Sequence, residues 1–136
     1  MRVRARSLSR SAIAVCAALA LAQAGCGRKA ISAELPASEL LAGIHANAAP
    51  LILDVRTPEE FARGHVPGAI NIGVDQLAQR IDEISGQRAE EVVVYCERGP
   101  RALRAADLLA DAGFASVRHL EGDMSGWRAA GLPTDH

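Results

Sequence analysis

At 136 residues and formal charge −1, the chain has room for one domain with its own core. Apolar residues make up 49%, yet only 3% are aromatic, so Val, Ile, Leu and Ala must build that core. Setting aside Arg2, Arg4, Arg6 and Arg10 leaves eleven of the fifteen basic residues against sixteen acidic ones, formally −5. Such a chain lacks the basic footprint that a nucleic-acid partner requires.

The N-terminus reads as an export signal over residues 1–25. "MRVRARSLSR" carries four arginines and no acid, and "SAIAVCAALALAQA" follows it, apolar and uncharged. The run falls short of the ~20 apolar residues a membrane span wants; an uncleaved N-terminal anchor is the alternative. "AQA" before Gly25 suits an ordinary signal peptidase. "QAGC" resembles a bacterial lipobox, although Gln23 departs from its pattern, and makes Cys26 a candidate lipidation site. The expectation is an exported domain, periplasmic or attached to a membrane through Cys26.

Cys16 would leave with the signal, and Cys96 then stands alone beyond Cys26, so the domain is no disulfide scaffold. His45, His65, His119 and His136 are scattered without metal-ligand spacing. No metal is expected.

Residues 26–30 form a linker, and from there helices and strands alternate. "ELLAGI" places Leu40, Leu41 and Ile44 on one helical face. "LILDV" is a short apolar strand. "TPEEFARG" opens with a capping box: Thr57 as N-cap, Pro58 at the first helical position and Glu60 three residues after Thr57. "AINI" is a second strand. "DQLAQRIDEI" is a helix with Leu77, Ile81 and Ile84 on one face. "EVVVYC" is a β-branched third strand, "RALRAADLLADAG" a helix ended by Gly113, "SVRHL" a fourth strand and "MSGWRAAG" a last short helix. This alternation predicts a parallel sheet in a three-layer α/β domain, and the continuous "VVVY" predicts strands buried on both faces. Ligands of such sheets bind beyond the carboxyl ends of the strands. Asp54 and Cys96 stand at such ends.

In "CERGPR" a cysteine lies between strand and helix. The helix N-terminus offers unpartnered N–H groups and a favourable dipole to an anion, and a thiol placed there favours the thiolate. Gly99 lets the loop curl, while Arg98 and Arg101 add positive charge. Cys96 is therefore the candidate nucleophile. The loop Glu97, Arg98, Gly99, Pro100 and Arg101 is the candidate substrate cradle. An inert buried cysteine is the competing reading, and the flanking charges make it the weaker one.

"LILDVRTPEEFARGHVPGAINI", "VVVYCERGPRA" and "LEGDMSGW", in this order and spacing, resemble the successive motifs of a single rhodanese-like domain over residues 31–133. The resemblance implies a central five-stranded parallel sheet with helices on both faces. It also implies a sulfurtransferase in which Cys96 takes a sulfane sulfur from thiosulfate or a persulfide, carries it as a persulfide, and passes it to a thiol or cyanide. No cofactor is implied. The alternative is a persulfide carrier or sensing module that delivers sulfur to a protein partner with little small-molecule turnover.

Phosphatases of similar fold carry five residues between Cys and Arg. Here four separate Cys96 from Arg101, which resembles the sulfur-transferring branch. Asp54 and Arg56 match the family's "DxR" motif. Asp54 is expected to brace the loop or a neighbouring Arg, or to form a local turn before Thr57; Arg56 meets an anion or stays solvated. His65 in "GHVPGA" and Trp127 are read as structural. Three positions depart from the pattern: Ala102 stands where a hydroxyl is usual, Pro100 removes a cradle N–H, and Asp123 replaces a glycine. Asp123 is a candidate N-cap for "MSGW", and with Glu97 it is expected to bring negative charge to the pocket mouth.

Overall fold

The computed structural model describes residue 31 and residues 33–136. The expected export signal, the expected linker and the candidate lipidation site Cys26 lie outside the described residues. In chain order the elements are β1 (Ala33–Leu35), α1 (Ala37–His45), β2 (Leu51–Asp54), α2 (Pro58–Ala62), β3 (Ile70–Asn71), α3 (Val74–Arg80), a 3₁₀ helix (Ile81–Gln87), β4 (Glu91–Tyr95), α4 (Pro100–Asp111), β5 (Ser116–Leu120) and α5 (Asp123–Ala129).

The five strands form one sheet in the order β1-β5-β4-β2-β3, and every pairing is parallel. The expected α/β architecture is what the chain adopts. Alternation along β4 shows why its apolar run is unbroken. Val92 and Val94 point with Cys96 into a core shared with Leu77, Ala105 and Leu109. Val93 and Tyr95 point the other way, into a core with Leu40, Met124 and Trp127. Burying each Val or Leu in full contributes about 1.5–3 kcal/mol, so two aliphatic layers hold the domain with few aromatic rings.

Local chemistry sets the element ends. The capping box at α2 is complete: Thr57 Oγ1 accepts the Glu60 N–H at 3.2 Å, and Glu60 Oε2 accepts the Thr57 N–H at 2.9 Å. Two elements differ from the sequence expectation. β1 has no counterpart in it, because only Leu35 of its three residues is buried and an edge strand this short leaves no periodic signal. The helix expected through Ile84 tightens after Arg80 into the 3₁₀ helix, where the Ser85 hydroxyl donates to the Asp82 carbonyl at 3.0 Å. Ile84 still reaches the core.

Sheet order positions the site. The chain leaves β2 toward β3 on one side, then returns through β4 to β5 on the other. The carboxyl ends of β2 and β4 therefore adjoin at the point where the winding reverses. Asp54 pairs with Tyr95 there, and Cys96 follows directly. Among the described residues, no helix is long and apolar enough to cross a membrane.

Candidate active site

Cys96 sits at the carboxyl end of β4, 1% exposed, with its sulfur beneath the loop that enters α4. Gly99 has φ +118°, a conformation that L side chains rarely adopt, and this turns its N–H toward Cys96 Sγ at 3.0 Å. Pro100 takes the first position of α4, where a missing N–H disturbs no helical bond. The sulfur thus meets a donor at a helix N-terminus, a setting that favours negative charge.

The backbone of Cys96 is clamped from α5. Its N–H donates to Asp123 Oδ1 at 2.8 Å, and its carbonyl accepts the Met124 N–H at 3.0 Å. The Glu97 carbonyl accepts the Ser125 N–H at 3.1 Å. The loop itself satisfies the first donors of α5. Asp123 is therefore not the N-cap expected from the sequence: Gly122 holds that position, and Asp123 opens the helix with φ +55°. Its carboxylate is buried and lies 3.0 Å from His119 Nε2 through both oxygens. The hydrogen bond to Asp123 holds the His119 imidazole above its usual pKa despite its burial. The Asp123 charge expected at the pocket mouth is instead enclosed and matched, whereas that of Glu97 does face the neighbouring cleft.

A second network fixes the β2 side. Arg56 is 2% exposed, not solvated, and grips Asp54 through Nε (3.0 and 3.1 Å) and Nη2 (2.7 Å). Nη2 also donates to the Gly64 carbonyl at 2.8 Å. Burial opposes the Arg56 charge, and the hydrogen bonds and attraction of Asp54 more than offset it. Tyr95 OH donates to Asp54 Oδ2 at 2.6 Å and accepts the Val66 N–H at 3.1 Å. Asp54 thus braces Arg56 and Tyr95, and Arg56 Nη1 carries the brace to the loop at Glu97, 3.3 Å away. Glu97 also pairs with Arg128.

Arg101 closes the loop from α4. Its two Nη atoms meet the two oxygens of Glu60 at 2.7 and 2.9 Å. That fork draws the Glu60 carboxyl down to about 2. Arg101 is held above its usual range by Glu60 first, and the Cys96 sulfur adds to the pull. Arg98 points into solvent.

A family model described as a rhodanese-like domain matches residues 36–130. The chain belongs to the rhodanese-like family. This rhodanese-like domain is 37% identical over 92 residues to the chloroplastic thiosulfate sulfurtransferase 16 of Arabidopsis thaliana, covering 60% of this chain and 77% of that protein. It is 45% identical over 87 residues to the HTH-type transcriptional regulator Rv0324 of Mycobacterium tuberculosis; the match covers 62% of this chain but 37% of that protein. Among solved structures, the Alr3790 protein of Anabaena sp. superposes with a TM-score of 0.67 at 29% identity, covering 74% of this chain and 90% of that one.

Of the residues picked from the sequence, the rhodanese-like fold brings Cys96, Glu97, Gly99, Pro100, Arg101, Asp54 and Arg56 around one loop. Ala102 lies in the core beneath it, fully buried. His65 is structural: its ring stacks on Phe61 at 3.6 Å, and Nδ1 lies 3.0 Å from the Phe61 carbonyl. Trp127 is buried in the α1–α5 layer and donates to the Pro133 carbonyl at 2.8 Å. Sequence reasoning missed Glu60, Tyr95, His119 and Arg128 as parts of the site. Glu60 was legible only as a capping residue; the same Oε2 that caps α2 also receives Arg101.

Proposed function

We propose that the domain is a sulfurtransferase that carries sulfane sulfur on Cys96. The observation that carries this is the Gly99 N–H donating to Cys96 Sγ at 3.0 Å at the N-terminus of α4. The named thiosulfate sulfurtransferase among its relatives supports it. In the first half-reaction the Cys96 thiolate attacks the outer sulfur of thiosulfate. The Cys96–sulfur bond forms, the sulfur–sulfur bond of thiosulfate breaks, and sulfite leaves with the electron pair. The persulfide anion then lies where the loop donors can hold it. In the second half-reaction a thiol or cyanide takes the terminal sulfur and the Cys96 thiolate returns, which makes the kinetics ping-pong.

The reading extends to location. We place the domain outside the cytoplasm, exported by residues 1–25 and held at a membrane through a lipid on Cys26. The arginine-rich start followed by an uncharged apolar run supports export.

Intact mass after incubation with thiosulfate tests the chemistry. The expected result is a gain of one sulfur that cyanide removes as thiocyanate and that Cys96→Ser abolishes. A gain that persists in Cys96→Ser moves the site elsewhere, and no gain with any sulfane donor overturns the reading. A persulfide that forms but does not turn over makes the domain a carrier rather than an enzyme.

A further inference from the structure

Beside the sulfur loop lies a cleft of about 440 Å³, lined by Arg56, Glu60, Arg63, Glu97 and Arg128. Three guanidinium groups face two carboxylates. Glu60 is committed to Arg101 through both oxygens. Glu97 pairs through one oxygen with Arg56, which follows β2, and through the other with Arg128 of α5. Arg63 is exposed; among the described residues it holds no close ion pair and acts only at a distance on Glu59. The cleft therefore already contains one carboxylate between two arginines, with a third arginine unspent. Guanidinium groups bind carboxylates through such paired hydrogen bonds. Arg56 is fixed by Asp54, whereas Arg63 is exposed and Arg128, exposed but paired with Glu97, is released for a ligand when Glu97 is displaced.

We propose that this cleft binds the carboxylate of a small thiol acceptor, and that Glu97 holds the place until the substrate's carboxylate displaces it. The fate of the thiol rests on the sulfur-transfer reading; the binding does not. The cleft's volume suits a ligand of amino-acid or short-peptide size. The acceptor thiolate attacks the terminal sulfur of the Cys96 persulfide. A new sulfur–sulfur bond forms, the Cys96 sulfur–sulfur bond breaks, and its electron pair returns to Cys96 as thiolate. One sulfur atom moves, and no outside oxidant or reductant enters. Thiolate and persulfide repel each other, and guanidinium groups on the approach offset that repulsion.

The test loads the purified protein with sulfur and follows its discharge by 3-mercaptopropionate and by 2-mercaptoethanol, compared per thiolate. The expected result is a roughly tenfold advantage for the carboxylate-bearing thiol at low salt, shrinking as ionic strength rises. That ratio should collapse toward one in the double variant Arg63→Ala with Arg128→Ala and widen in Glu97→Gln. A ratio near one in the unmodified protein, or one that survives loss of both arginines, overturns the proposal. If no persulfide forms, the cleft is still tested: succinate should slow iodoacetamide alkylation of Cys96, and the double variant should lose that protection. Absence of protection in that case overturns the cleft assignment independently of the sulfur chemistry.

Discussion

Asp54 shows how one residue can support a loop it never touches. Its carboxylate receives Arg56 and the Tyr95 hydroxyl, and Arg56 hands the constraint to Glu97. All three residues of the inner network are essentially without solvent. Truncating one partner of a buried ion pair leaves the other charge unmatched, at about 3–5 kcal/mol. Arg56 keeps its bond to the Gly64 carbonyl, so Asp54→Asn is expected to cost about 3 kcal/mol, the low end of that range. Urea unfolding measures this. A loss below about 0.5 kcal/mol, the scale of an ordinary surface substitution, would show that the pair is dispensable. The sequence motif marked Asp54 and Arg56 together. It left open whether Asp54 braces Arg56 or only shapes the turn; the structure has it do both, since the Arg56 N–H also donates to Asp54 Oδ1 at 2.9 Å where the chain bends at Arg56.

At the scale of elements, the Cys96 loop and α5 are one unit. The two N–H groups that follow Asp123 are capped by loop carbonyls, and the Asp123 carboxylate receives the Cys96 N–H. Asp123→Gly would relax a backbone held at φ +55° but leave that N–H, and His119, without their partner. A buried donor left unsatisfied costs about 1–3 kcal/mol, more than the strain released, so the variant should be less stable by about 1–2 kcal/mol. Its Cys96 should also react faster with iodoacetamide as the loop opens. Unchanged alkylation together with raised stability would mean that the glycine usual in the family suits this loop equally well. Pro100 belongs to the same scale. Its missing N–H falls in the first turn of α4, where no intrahelical bond is lost.

Across the whole molecule, two ion pairs set opposite pH limits. His119 has its folded pKa raised by Asp123, so its contribution is complete below the ordinary imidazole value and is lost as pH rises through the raised one. Glu60 has its folded pKa lowered to about 2 by Arg101, so its contribution is present above the ordinary carboxylate range and is lost as pH falls toward that value. Stability should therefore peak between the two. Thermal melts between about pH 3 and about pH 9 should show His119→Gln flattening the alkaline decline and Glu60→Gln flattening the acid one. An alkaline slope unchanged in His119→Gln would remove the Asp123 pair from the account.

Residues close in sequence speak for themselves where their chemistry is local. The valine run of β4, the capping box of α2, the glycine that turns the loop and the cysteine before it were all legible, because period, cap and turn are set within a few positions. The four-residue gap from Cys96 to Arg101 belongs to the same class. What the chain could not disclose are the partners that only the sheet order brings together. Glu60 reaches Arg101 across 41 positions, and Asp123 reaches Cys96 across 27. Parallel winding delivers the ends of β2, β4 and β5 to one edge, and a side chain's charge is matched, or exposed, only by what arrives there. Asp123 therefore read as a cap and an exposed charge in the sequence, and became the buried clamp on Cys96 once β5 lay beside β4.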